Sequence, residues 1–186
     1  MTEDLKNLVV NVFGGPGAGK TTAAADLFIS LKRHNVDVTF VGDFAQECIL
    51  EGNKDALQDQ IYIFGNTYHR LRSSCGSSVV TVTDAPILLN TIYQSPEMPE
   101  SFSTLVLDMH KIFHNVNILV DRQEGYDYSM SGRVHSLSES RGIDKLIERM
   151  LELYDIPFVR ESEIDDNLTN YLTDQILEFL NGTEIS

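Results

Sequence analysis

The stretch Gly14-Gly15-Pro16-Gly17-Ala18-Gly19-Lys20-Thr21-Thr22 decides how this chain folds. Its first eight residues satisfy G-x-x-x-x-G-K-[ST], a spacing whose meaning depends on its flanks. Upstream, residues 8–13 (LVVNVF) are an apolar, β-branched run that reads as a buried strand. Downstream, Ala24, Leu27, Phe28 and Leu31 recur at helical spacing over residues 19–34. Strand, glycine-rich turn and helix in that order make a phosphate-binding loop. Glycines let the backbone curl so that successive N–H groups point at phosphate oxygens. The following helix adds the positive end of its dipole. Lys20 is expected to reach the β- and γ-phosphates, and the Thr21 hydroxyl to ligate Mg²⁺. Gly14, Gly15, Pro16, Gly17, Ala18, Gly19, Lys20, Thr21 and Thr22 are therefore the expected contacts for ATP.

Outward from this loop, short apolar runs alternate with longer amphipathic ones. Strands are expected at 36–41, 79–83, 117–120 and 157–159, besides 8–13. Helices are expected at 44–51, 58–72, 101–113, 143–154 and 167–180, besides 19–34. That alternation predicts an α/β P-loop NTPase of the kinase-like type: about five parallel strands with helices on both faces. Residues 121–142 are polar and largely without period, which fits a lid loop within a single P-loop kinase domain spanning residues 1–186.

Composition narrows the partners. The chain has 186 residues and a net charge of −14, which argues against a broad nucleic-acid face. The charge is uneven: residues 151–186 hold nine acids against Arg160 alone, so −8 of the −14 lies there. Any basic cleft is expected upstream. Cys48 and Cys75 have no metal-ligand spacing, and no apolar stretch approaches a membrane span. With an acidic N-terminus unlike a signal peptide, these features predict a cytoplasmic protein with no membrane partner. The oligomeric state is not legible.

A phosphate-binding loop serves switches, motors and kinases alike. Four features favour a kinase: the chain is short, it has no N-K-x-D, a carboxylate follows the second strand, and an arginine-bearing loop follows the fourth. Asp43 sits where a parallel sheet meets its ligands, and could accept the proton of an acceptor hydroxyl. It could equally be a turn residue satisfying its own backbone. Glu47, one helical turn on, is the secondary candidate. Asp84, just past VVTVT, is the expected Mg²⁺ carboxylate, with a helix cap before Pro86 as the competing role. In the 58–72 helix, Gln58-Asp59-Gln60 suit pairing with a base or amide, and His69, Arg70 and Arg72 suit a phosphate or sugar. A solvated surface face is the plain alternative. Arg133, then Arg141 and Arg122, are the candidates for charge on the moving phosphoryl group. Against this, Arg141, Lys145 and Arg149 could pair along a helix with Glu139, Asp144, Glu148 and Glu152. Tyr126 and Tyr128 could stack on a ligand or anchor the loop.

Taken together these motifs resemble the P-loop nicotinamide riboside kinase-like ATPases and related phage nucleoside or nucleotide kinases. The family's Glu-Tyr-Ala-Arg-Glu run is similar to Asp43-Phe44-Ala45-Gln46-Glu47 here. Asp121, Gly132-Arg133, the helix at 143–154 and Asp155-Ile156-Pro157-Phe158-Val159 follow the family's order. The resemblance implies ATP- and Mg²⁺-dependent phosphotransfer to a nucleoside, nucleotide or related small molecule. Asp43 and Gln46 replace the family's Glu and Arg, which points to a different acceptor. Two other readings stay open: a kinase acting on a DNA hydroxyl, at an end or on a hydroxymethylated base, and a nucleotide-dependent switch with no acceptor.

Overall fold

The computed structural model of the chain describes residues 8–122, 136–161 and 166–180. Five strands form one parallel sheet: β1 (Leu8–Phe13), β2 (Val38–Val41), β3 (Val80–Thr83), β4 (His114–Val120) and β5 (Val159–Glu161). Their spatial order is β2-β3-β1-β4-β5, so β1 is central. The helices are α1 (Lys20–Arg33), α2 (Phe44–Leu50), α3 (Lys54–Gln58), α4 (Gln60–Cys75), α5 (Asn90–Tyr93), α6 (Glu100–Lys111), α7 (Leu137–Leu153) and α8 (Asp166–Leu180). The expected α/β architecture of five parallel strands wrapped by helices is therefore the one observed.

Why β1 is buried throughout follows from its place. Period-two geometry sends Val9 and Phe13 to one face and Leu8, Val10 and Val12 to the other. The first face packs under Phe64 and Leu71 of α4, Val106 of α6 and Ile147 and Leu151 of α7. The second packs under Ala24, Leu27 and Leu31 of α1 and Leu172 and Ile176 of α8. Each such fully buried aliphatic chain contributes roughly 1.5–3 kcal/mol relative to exposure. Asn11 shares the first face, where its Nδ2 donates to Asn115 Oδ1 at 2.9 Å and Asn117 Oδ1 at 3.1 Å.

The strand order also places the site. The chain leaves β1 through α1 on one face of the sheet. It leaves β3 towards α6 on the opposite face. Neighbouring strands whose exits diverge open a crevice at their carboxyl ends, where ligands bind in such sheets. The register Asn11↔Thr83 sets the end of β3 beside the start of the glycine-rich loop.

Most expected boundaries shift by one to three residues, β4 starting at His114 and β5 running Val159–Glu161, and two helices differ more. The helix at 58–72 divides at Asp59, which ends α3 and whose side chain accepts from Tyr62 N to start α4. The helix expected at 143–154 begins at Leu137, because Ser136 and Glu139 form a reciprocal capping box. The last part of the expected lid, from 137 onwards, is thus helical.

One buried group outside the site sets a pH dependence. His110 is 3% exposed, and its Nδ1 has no partner among the described residues. Burial, aided by Lys111, lowers its pKa from 6.5 to about 4. The unfolded chain therefore holds this proton more tightly, so the contribution is complete above pH 6.5 and is lost as pH falls through about 4. A shift of this size corresponds to about 3 kcal/mol. His110→Leu is expected to flatten the slope of urea-unfolding stability between those pH values. An unchanged slope would assign that dependence elsewhere.

Candidate active site

The glycine-rich loop bridges β1 and α1. Gly17 (φ 76°) and Gly19 (φ 101°) lie in the left-handed region that favours glycine, which is what the curl requires. Gly15 is needed for a different reason. A Cβ there would lie 2.8 Å from the Ser140 carbonyl oxygen and closer still to Asp144 Oδ1, because α7 abuts the loop. The Gly15 N–H donates to Asp144 Oδ1 at 2.7 Å. Arg122, just past β4, donates through Nε to Asp144 Oδ2 at 3.0 Å and through Nη2 to the Pro16 carbonyl at 2.9 Å. Asp144 and Arg122 thus strap the loop to the end of β4 and to α7.

Lys20 opens α1 and its Nζ donates to the Gly15 carbonyl at 3.3 Å. Burial lowers its pKa, with Arg122 acting the same way, while Asp43, Asp84 and Asp144 oppose. Thr21 Oγ1 donates to Asp84 Oδ2 at 2.5 Å. Asp84 is buried, and its Oδ1 has no hydrogen-bond partner among the described residues. The competing cap role is not observed, since the 3₁₀ turn Ile87–Leu89 has no side-chain cap. A hydroxyl beside a buried, half-satisfied carboxylate is a hard-oxygen pair that suits Mg²⁺, which keeps most of its ligands as water and phosphate oxygen. Among the described residues no group of three His, Cys, Asp or Glu could hold a metal by itself.

Asp43 serves two ends at once. Its Oδ1 accepts from Ala45 N at 2.8 Å and Gln46 N at 3.4 Å, capping α2. Its other oxygen has no hydrogen bond among the described residues, and the side chain borders the cavity. Burial raises its pKa, Asp84 adds to the rise, and Lys20 opposes it. The cavity, about 710 Å³, runs from Pro16, Gly17 and Lys20 past Asp43 and Asp84 to Gln60, Asn90 and Tyr93. That volume lies within the range of small-molecule sites.

The other expected residues divide sharply. Glu47 does not border the cavity. It pairs with both terminal nitrogens of Arg70, at 2.5 and 2.7 Å, and Arg70 lies 4.7 Å over the Phe44 ring. This bidentate pair takes up the basic end of the 58–72 segment, where His69 and Arg72 are exposed. Of Gln58, Asp59 and Gln60, only Gln60 reaches the cavity. Arg141 is exposed on α7 and does not border the cavity. Arg133, Tyr126 and Tyr128 lie outside the described residues. Two contributors were not legible in the sequence. Asp144 reads locally as one of several charges along a helix surface, and only the fold brings it to Gly15, 129 residues away. Asn90 falls between the strand expected at 79–83 and the helix expected at 101–113, where no element is expected.

Among the described residues no helix is long and apolar enough to cross a membrane. No family model and no curated protein matches the chain. Among solved structures it is similar to a NadR protein in complex with NR (TM-score 0.67, 16% identity), matching 97% of this chain and 53% of that one. It is also similar to a NadR protein in complex with NAD and AMP-PNP (TM-score 0.66, 15% identity), matching 97% of this chain and 51% of that one. The chain thus spans about half the length of these structures. The likeness shows a P-loop kinase-like fold.

Proposed function

We propose that this protein is an ATP- and Mg²⁺-dependent phosphotransferase whose acceptor is a nucleoside, a nucleotide or a related small molecule. The observation that carries this reading is the continuity of one cavity from Lys20 and Thr21, past Asp43, to an apolar-walled end at Gln60 and Asn90. A switch that only hydrolyses its nucleotide has no need of a lining that extends beyond the phosphate loop to Gln60 and Asn90. The NadR structures add support, since their ligands include NR and AMP-PNP.

In this reading the loop from Gly14 to Thr22 holds the triphosphate by its N–H groups and the α1 N-terminus. Lys20 neutralises phosphate charge from a half-buried position at the start of α1. Thr21 and Asp84 hold Mg²⁺, which when bound draws off the charge of the phosphate oxygens. Asp43 orients the acceptor hydroxyl and takes its proton through the oxygen not used for capping. Its raised pKa makes it a better base than an exposed aspartate. Arg122 acts on the loop through Pro16 and Asp144, and is a positioning residue in this arrangement. Of the arginines in and after the expected lid, Arg133 is assigned to the transferring group, since Arg141 does not border the cavity.

The test is an ATP-consumption screen over nucleosides, nucleoside monophosphates and DNA, with Mg²⁺ present. At least one small acceptor is expected to accelerate consumption at least about tenfold, with one phosphate transferred per ATP used. Slow hydrolysis indifferent to every acceptor would overturn the reading in favour of a switch. Acceleration by DNA alone, strongly weakened by salt, would move the acceptor to the polymer.

A further inference from the structure

The far end of the cavity holds two amides whose orientations are fixed. Asn90 Nδ2 donates to the Ile87 carbonyl at 2.7 Å, and a carbonyl can only accept. Asn90 must therefore turn Oδ1 towards its other neighbour, Gln60, whose Nε2 donates to it at 2.6 Å. Turning either amide over would set donor against donor or acceptor against acceptor. The relay leaves Gln60 with Oε1 and one Nε2–H, neither partnered among the described residues.

Gln60 is only 6% exposed, yet it borders the cavity. The amide therefore offers the cavity one acceptor and one donor in fixed positions. Leu57, Ile63, Leu89 and Tyr93 supply apolar and aromatic walls at the same end. Apolar and aromatic walls with one fixed donor–acceptor pair fit a planar heterocycle carrying an adjacent donor and acceptor on one edge.

The geometry points to a nucleobase subsite at the Gln60–Asn90 end of the cavity, with the base edge donating to Gln60 Oε1 and accepting from Gln60 Nε2. Asn90 is the positioning residue that fixes which atom Gln60 presents. The subsite deepens the phosphotransfer reading and rests on it for its role. Its existence can nonetheless be tested by binding alone, so the two can fail separately. The shared chemistry is a base edge, whether of a free nucleoside or of a nucleotide in a strand.

The experiment titrates the protein with thymidine, deoxycytidine, deoxyadenosine, deoxyguanosine and 2-deoxyribose, and with short single-stranded oligonucleotides of each base, by calorimetry in the presence of AMP-PNP and Mg²⁺. At least one base is expected to bind about tenfold or more tightly than the sugar, and Gln60→Met to lose that advantage while AMP-PNP affinity holds. Tighter binding of the free nucleoside assigns a small acceptor, and tighter binding of the strand assigns a polymer. Either keeps the subsite. If Gln60→Met fails to fold, Gln60→Glu replaces it, since it keeps the length but has no N–H to give. The subsite is overturned if no base outbinds the sugar, or if the folded variant binds bases as the wild type does. In either case acceptor-stimulated turnover by the wild type would leave the phosphotransfer reading standing.

Discussion

Lys20→Ala is expected to lower phosphotransfer by at least about 10³-fold, the scale on which removal of a charge that stabilises a transferring phosphoryl group is felt. The magnitude follows from where the ammonium sits. Lys20 is half-buried beside the glycine-rich loop, with Asp43, Asp84 and Asp144 as the carboxylates acting on its charge. A tethered ammonium there is pre-positioned at the reacting phosphate, whereas a solvent cation would have to be ordered each time. The wild-type fold does not rest on it, because its hydrogen bond to the Gly15 carbonyl is long at 3.3 Å. The β1 core beneath is held by Val9, Phe13 and their neighbours. Lys20→Met, which keeps most of the stem, is the packing control and is expected to be as inactive as the alanine variant. Turnover measured with the best acceptor, beside far-ultraviolet circular dichroism, checks both statements. Retained transfer in a folded Lys20→Ala protein would sink the proposed chemistry.

Asp43→Asn is expected to cost roughly 10²–10⁴-fold in kcat while stabilising the fold, an opposition that a purely structural aspartate would not show. Asparagine caps a helix about as well as aspartate, so the bonds to Ala45 N and Gln46 N survive. The proton acceptor does not. The stability gain has a definite sign. Burial, then Asp84, raise the pKa of Asp43 in the folded protein. The folded state therefore binds this proton more tightly than the unfolded one. Near pH 3, below the unfolded value of about 3.9, both proteins carry a neutral group and their melting temperatures should agree. As pH rises through the folded value the wild type must bear a partly desolvated charge, and Asp43→Asn should pull ahead. Melting curves from pH 3 to 7 test this. A variant that is both fully active and no more stable at pH 7 would return Asp43 to a capping role alone.

Much of the architecture could be read from local pattern. Residues 8–13 are apolar at every position but one, as a strand covered on both faces must be. The stripe on α8 at Leu172 and Ile176 meets α1 and the second core. Helix starts were less legible. The capping box at Ser136 and Glu139 is present in the sequence, but it precedes the apolar period of α7 by several residues. The split at Asp59 is one side chain ending one helix and starting the next.

Glu47 shows where local reasoning fails at a site. Its spacing from Asp43 sets both near one helix face, and nothing in the local sequence reveals that Arg70 lies across from it. The pair forms because α2 and α4 meet, which brings residues 23 apart into bidentate contact. An exposed ion pair of this kind is worth little energetically. It nevertheless turns the carboxylate away from the cavity.

By itself, then, the sequence determined the glycine-rich loop, its flanking strand and helix, and the alternating plan of the sheet. Those features depend on periodicity, on backbone freedom at Gly17 and Gly19, and on short-range hydrogen bonding. Only the tertiary structure decided that Thr21 meets Asp84, 63 residues on, that Asp144 reaches Gly15, and that Gln60 and Asn90 close the far end of one cavity. Those contacts arise because parallel strands return their carboxyl ends to one edge of the sheet. Strand order and helix packing, rather than any local spacing, choose which side chains arrive there.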